Sequence, residues 1–178
     1  DGYFVLSVSD LASASAGSAV QTISAVDLDI TPAFMNIEND TLYAGTFHLI
    51  PSYPAPAEHH LIAPDGSENA GVILAYPADA NGAFGYATQA VYVYSIPDAV
   101  QGMAELPDGN IMLSSSYGLT SSHLRTYDVH DAQQGAAFLV DGREVPLYFL
   151  DSTNLVADLV APPMSEGIES HDGRIWIS

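Results

Sequence analysis

The chain has 178 residues, 48% hydrophobic and 14% charged; three arginines, no lysine and 22 acidic residues leave a formal charge of −19. That length allows one domain with a real core, and the apolar content excludes a disordered tail. The charge excludes recognition of a nucleic-acid backbone, since nothing neutralises phosphates, and disfavours anionic membranes; the absence of cysteine excludes disulfides and thiolate metal sites.

Helical periodicity is nearly absent along the chain, and no run reaches the ~18 apolar residues of a membrane helix, so no membrane insertion is expected. Strand-like runs occur at residues 3–8, 41–47, 71–76, 89–95, 110–115, 124–129, 136–140, 145–150 and 174–178. Turn clusters of Gly, Pro, Asn and Asp separate them, and residues 79–82 read as a hairpin turn between 71–76 and 84–87. Many short strands joined by tight turns indicate an all-β sandwich, barrel or propeller.

An internal repeat selects the propeller. A small apolar strand, an Asx–Gly-like turn and a second apolar strand recur at residues 101–114 (QGMAELPDGNIMLS) and 166–178 (EGIESHDGRIWIS). A more diverged copy is 33–45 (AFMNIENDTLYAG), and residues 1–7 (DGYFVLS) match the second half of the unit. The turn positions Asp1, Asn39, Asp108 and Asp172 are spaced by 38, 69 and 64 residues. The first spacing suits a plain four-stranded blade of ~40 residues, and the longer ones imply extended hairpins or insertions. In such a blade the strand before the turn is innermost and favours small residues such as Gly102, Ala104 and Gly167. The next strand, with Leu42, Tyr43, Ile111, Leu113, Ile175 and Trp176, is expected to form the core between neighbouring blades. Residues 1–178 then form a single segment of about three four-stranded blades that starts and ends mid-blade, short of the four to eight that close a ring. The expected partner is further chain, a second polypeptide, or a second copy making a six-bladed homodimer.

At Gln101-Gly102-Met103, at residues 114–118 (SSSYG) and at 162–168 (PPMSEGI) the sequence resembles the C-terminal half of secreted bacterial six-bladed propellers. More distantly it is similar to calcium-dependent lactonases of the gluconolactonase and senescence-marker type, and to strictosidine-synthase-like propellers. In the lactonase group a polar residue before the innermost strand's Gly-apolar pair faces the channel and binds a divalent metal. The resemblance implies that role for Glu166 and, where the group usually has Asn, for Gln101, with Ca²⁺ as the cofactor; Ala33 in the third copy has no ligating atom. It also implies an extracellular or cell-surface location, with any signal peptide outside this chain.

The other candidates rest on residue chemistry. Glu166 and Gln101 offer oxygens to Ca²⁺, which takes six to eight, or hydrogen-bond a neighbouring loop. Glu58-His59-His60 lies in the Pro-rich loop 51–63, where His59 or His60 is a candidate base or substrate contact if it reaches the channel, or is packed on prolines. Tyr117 follows a core strand on a ligand-facing loop. Arg125 either pairs with a carboxylate between blades or contacts an anionic ligand. Ser116, His123 and Asp128 have the residue types of a triad, without a Gly-x-Ser-x-Gly elbow. Asp27-Leu28-Asp29 and Asp79-Ala80-Asn81-Gly82 resemble fragments of calcium loops without the 12-residue spacing. Asn39-Asp40-Thr41 is formally a glycosylation acceptor but coincides with the repeat's turn. Tyr92, Tyr94, Tyr148 and Phe149 read as core or seam residues, or as a sugar platform. Two functions stand: a propeller binding a small-molecule or protein ligand on its channel face, or a Ca²⁺-dependent lactonase or esterase whose metal polarises an ester carbonyl.

Overall fold

The structure, a computed structural model, describes residues 2–178, so the first turn position, Asp1, lies outside it. The fold is all-β. Strands β1 (Gly2–Leu6) and β2 (Thr22–Asp27) pair around the short helix α1 (Val8–Ser13); β3 (Phe34–Glu38) and β4 (Thr41–Gly45) follow as a hairpin. A long loop carries one 3-10 turn (Ala57–His59) and the two-residue strands β5 (Leu61–Ile62) and β6 (Glu68–Asn69), and leads to β7 (Gly71–Ala83) and β8 (Tyr92–Ile96). The chain continues through β9 (Val100–Glu105), β10 (Ile111–Ser115), β11 (Ser122–Tyr127), β12 (Phe138–Val140), β13 (Arg143–Val145), β14 (Leu147–Phe149), β15 (Leu155–Ala161), β16 (Ile168–His171) and β17 (Arg174–Ile177). No helix among the described residues is long and apolar enough to cross a membrane.

Two sheets dominate. One has the order β14-β8-β7-β4-β3, antiparallel except where β14 joins β8 in parallel, and the other has the order β15-β11-β10-β9. Neither closes on itself. One has β3 at an edge and the other β9, and every step except β8 to β14 is antiparallel.

The three repeat copies fold as the hairpins β3–β4, β9–β10 and β16–β17, each opening a sheet. Their turns explain their residues. Asn39 and Asp40 have φ of 44° and 60°, Gly109 has 85°, and Asp172 and Gly173 have 50° and 67°. The two-residue turns Asn39–Asp40 and Asp172–Gly173 need positive φ, which Asn, Asp and Gly tolerate best; the β9–β10 connection corrects the two-residue expectation, being the longer loop 106–110 in which Gly109 and not Asp108 takes positive φ.

The first strands lie side by side in the order β3, β9, β16. Asn36 Nδ2 donates to the Met103 carbonyl at 2.7 Å, joining β3 to β9. On the far side of β9, a Cβ added to Gly102 would lie 2.3 Å from the Glu166 carbonyl oxygen. The smallness expected at Gly102 is therefore a requirement of close backbone approach.

The apolar core is layered between sheets. Alternation sends Tyr43, Ile73, Tyr94 and Ile96 from one face of the larger sheet against Val100, Met103, Ile111 and Leu113 of the other. Leu42, Leu74 and Tyr76 leave the opposite face and meet Phe138, Val140 and Leu147, with Tyr3, Leu28 and Ile30 packed alongside. Met112 and Leu124 on the far face of the second sheet meet Ile168 and Ile175 of the last hairpin. Fully burying each such side chain contributes roughly 1.5–3 kcal/mol before entropy is counted.

The structure corrects three further sequence expectations. The hairpin after β7 turns at Phe84–Gly85, both at positive φ (53° and 88°), whereas the Asp79 carboxylate only accepts the Asn81 N–H locally. The strand expected at 145–150 is divided at Pro146, which has no N–H for a ladder. Trp176 was expected in the core but is 57% exposed, because β17 pairs only with β16 among the described residues.

Candidate functional site

The ends of the first strands build a cavity of about 380 Å³ lined by Ala33, Phe47, Tyr53, Gln101, Tyr117, Gly118 and Glu166. Ala33 immediately precedes β3, Gln101 is the second residue of β9 and Glu166 lies two residues before β16; these are the positions that the sequence expectation aligned. The cavity follows from the side-by-side packing of β3, β9 and β16.

Loops raise an aromatic wall over these positions. After β4 the chain is tied down by Thr46, whose Oγ1 accepts the Val72 N–H at 3.0 Å. It then folds back through the antiparallel bridge between Leu49 and Tyr53. Phe47 and Tyr53 meet edge to face at 5.4 Å, and Tyr117, from the loop after β10, lies 6.4 Å from Phe47 and 6.0 Å from Tyr53. Tyr117 and Tyr53 remain 44% and 49% exposed, leaving ring faces open to a ligand.

The polar floor is short. Gln101 Nε2 donates to the Ser116 carbonyl at 2.7 Å, which orients the amide and leaves Oε1 to accept from a ligand. Glu166 is half-buried; its backbone N–H is tied to the Ser178 carbonyl at 2.9 Å. The described residues provide its carboxylate with neither a donor nor a counter-ion. A lone carboxylate beside an amide oxygen and aromatic faces suits a cationic or donor-bearing group. It fits a Ca²⁺ shell poorly: Glu166 and Gln101 together supply at most about three of the six to eight oxygens required. No group of three or more acidic or histidine side chains among the described residues could hold a metal.

The remaining candidates lie elsewhere. Arg125 is bound to Asp158 across β11 and β15 at 3.1 Å and to Ser115 Oγ at 3.3 Å, so it is a cross-strand structural pair within one sheet, outside the cavity. Ser116 Oγ accepts from Ser122 at 2.9 Å, His123 pairs with Asp158 at 2.7 Å, and Asp128 accepts the His130 N–H, so the three triad residue types never assemble. His60 is exposed and paired with Glu68, which pushes its pKa up. His59 is buried, with Nδ1 3.3 Å from His48 Nε2. Burial first, and then the His48 charge, pull the His59 pKa down to about 4. Neither His59 nor His60 lines the cavity of Gln101 and Glu166; adjacent in sequence, one turns inward and the other outward.

Tyr92, Tyr94 and Tyr148 form a cluster with ring separations of 5.3–6.2 Å beside a second cavity of about 450 Å³. Tyr43 meets Tyr92 there, hydroxyl to hydroxyl, at 3.0 Å and donates to Glu105 at 3.4 Å. Burial, followed by the Tyr92 hydrogen bond, raises the Tyr43 pKa and keeps the phenol protonated. The three rings pack in the core between the two large sheets, whereas Phe149 belongs to the core on the opposite face of the larger sheet. Asn39 Nδ2 donates to Glu105 at 2.6 Å, so the side chain of the formal glycosylation acceptor is a turn contact between sheets.

Sequence reasoning missed Phe47, Tyr53 and His48. All three sit in the irregular segment after β4, where no periodicity assigns direction. Comparison with protein-family models, curated proteins and solved structures finds no match to this chain.

Proposed function

We propose that this chain is a β-propeller segment, secreted or cell-surface, whose channel-face cavity binds a small ligand. The ligand would carry a cationic or hydrogen-bond-donating group beside a flat or apolar face. One observation carries the reading: Ala33, Gln101 and Glu166, equivalent by repeat, line one cavity under an aromatic wall. The cation would meet the Glu166 carboxylate, Gln101 Oε1 would accept a donor, and Phe47, Tyr53 and Tyr117 would flank the apolar face.

The ring would be completed by further blades or by a second copy. Support comes from apolar side chains left uncovered on the outermost hairpins, Phe4 and Ile23 on β1–β2 and Trp176 and Ile177 on β17. Large uncovered apolar surfaces of this kind mark contact sites. Native mass spectrometry is expected to show a dimer or larger assembly; a stable, compact monomer with those residues solvent-accessible by footprinting would refute ring completion.

Binding is tested with a library of small primary and quaternary amines, observed by NMR of the aromatic side chains. Shifts confined to Phe47, Tyr53 and Tyr117, lost in Glu166→Gln, are expected. No such shift, or shifts unaffected by that substitution, would sink the ligand assignment. Calcium titration separates the hydrolase reading: a melting temperature raised by Ca²⁺ in the wild type and not in Glu166→Ala would replace the amine site with a metal site.

A further inference from the structure

A second cavity lies at the opposite end of the strands from Gln101 and Glu166. Gln101 stands near the start of β9 and Glu105 ends it, four residues or about 13 Å further on. The far cavity, of about 450 Å³, is lined by Tyr92, Tyr94, Val129, His130, Ala132 and Tyr148. Strand register gathers its three tyrosines on one face of the larger sheet. Tyr92 and Tyr94 are two residues apart on β8, and Tyr148 of β14 is the parallel partner of Tyr94. Across β7, Ala75 separates Tyr92 from Tyr43 of β4, and its small side chain lets the two hydroxyls meet at 3.0 Å.

Among the described residues the lining includes no Asp, Glu, Lys or Arg, so what it offers is ring surface and hydrogen-bonding groups. The rings of Tyr92 and Tyr148 stand 6.2 Å apart at 82°, and Tyr94 meets Tyr92 at 5.3 Å and 76°. Tyr94 is buried, whereas Tyr92 and Tyr148 are half-buried and keep ring surface open to solvent. The Tyr43 hydroxyl gives its proton to the Glu105 carboxylate at 3.4 Å, so the proton between Tyr43 and Tyr92 comes from Tyr92. The Tyr92 oxygen is thereby left as an oriented acceptor. The Tyr148 hydroxyl and the His130 ring have no hydrogen-bond partner among the described residues.

We propose that this cavity is a binding site for a neutral pyranose sugar, a reading that rests on nothing in the channel-face cavity. A pyranose has a face of C–H groups and a rim of hydroxyls, and the lining answers both. An aromatic ring face is the negative side of its quadrupole and attracts the slightly positive C–H hydrogens. The Tyr92 oxygen accepts from one sugar hydroxyl, the Tyr148 hydroxyl donates to another, and the His130 imidazole serves the rim. The cavity falls in the range of roughly 300–1,000 Å³ that holds small ligands. A purely aromatic ligand would cover the rings but leave those three polar groups unused. Acidic sugars are disfavoured by the formal charge of −19. Phe149, whose side chain leaves the opposite face of the sheet, has no part in the site.

The test is NMR titration of the whole chain with the methyl pyranosides of glucose, galactose and mannose, following the aromatic C–H signals. At least one sugar should shift Tyr92, Tyr94 and Tyr148 with a millimolar Kd, and leave Phe47, Tyr53 and Tyr117 unmoved. The amine titration reads that second set of rings, so either site can fail without the other. Tyr148→Phe keeps the ring and removes only its hydroxyl, and His130 is exposed, so Tyr148→Phe and His130→Ala should both fold. Each should weaken sugar binding by about three- to tenfold, the worth of one hydrogen bond. No shift of the three tyrosines by any sugar, shifts only at Phe47, Tyr53 and Tyr117, affinity unchanged in both variants, or tighter binding of indole than of every sugar would overturn the site.

Discussion

Gly102 is where one hydrogen atom in place of a side chain decides the geometry. Its missing Cβ is what lets β9 lie against the Glu166 carbonyl, and a methyl there would meet backbone at 2.3 Å, which no rotamer change relieves. Gly102→Ala should destabilise the chain by about 1–3 kcal/mol, read as a lowered urea midpoint, and should widen the cavity that Gln101 and Glu166 share. His59 makes a different residue-scale prediction. Its folded pKa of about 4 lies below its unfolded value of about 6.5. The unfolded chain therefore binds more protons between those values, so stability is complete above about pH 6.5 and falls as the pH drops toward 4. His48, also lowered by burial, acts in the same direction, while Asp98, raised by its own burial, contributes the reverse slope; the charge of Glu58 partly offsets the lowering at His59. Denaturant unfolding at pH 7 and pH 5 should show a loss that His59→Phe reduces; an unchanged pH dependence in that variant would refute the assignment.

At the scale of elements, the hairpin turns and one carboxylate clasp hold the sheets in register. Asn39 and Asp40 both sit at positive φ between β3 and β4. A β-branched residue there is strained by about 1–3 kcal/mol, so Asp40→Val should destabilise while Asp40→Gly is tolerated, a contrast that thermal melts resolve. The clasp joins the β5–β6 turn to the loop before β15. The Asp65 carboxylate accepts the Ser67 N–H and hydroxyl and the Ser152 N–H, while buried Asp151 accepts the Asp65 and Thr153 N–H groups. Those donors hold the Asp65 carboxyl far below the usual carboxylate range, so its stabilising effect is present above the unfolded pKa and is lost only in strong acid. Asp151→Ala strands the Asp65 and Thr153 N–H groups and the Thr153 hydroxyl and should cost about 1–3 kcal/mol in equilibrium unfolding.

Across the whole molecule, a formal charge of −19 on 178 residues opposes compaction. Of the three arginines, Arg125 is committed to Asp158 and Arg143 to the Ala90 carbonyl, so little cationic charge remains to relieve it. Salt screens such repulsion over a Debye length of about 10 Å at 0.1 M. The melting temperature should therefore rise between low and moderate NaCl, and a fall would show that specific ion pairs outweigh the net charge.

The all-β class and most of the hairpin turns were legible from residue order, because they depend on local chemistry. Positive φ selects Asn, Asp and Gly within two residues, and alternation selects a buried face. Much of the functional surface was settled by contacts between distant segments instead. Only packing brings Tyr53 over Tyr117, aims Arg125 at Asp158 and leaves Trp176 uncovered. The same holds for His48 and His59: they stand eleven positions apart in an irregular loop, and no periodicity in such a stretch says which way a ring will point.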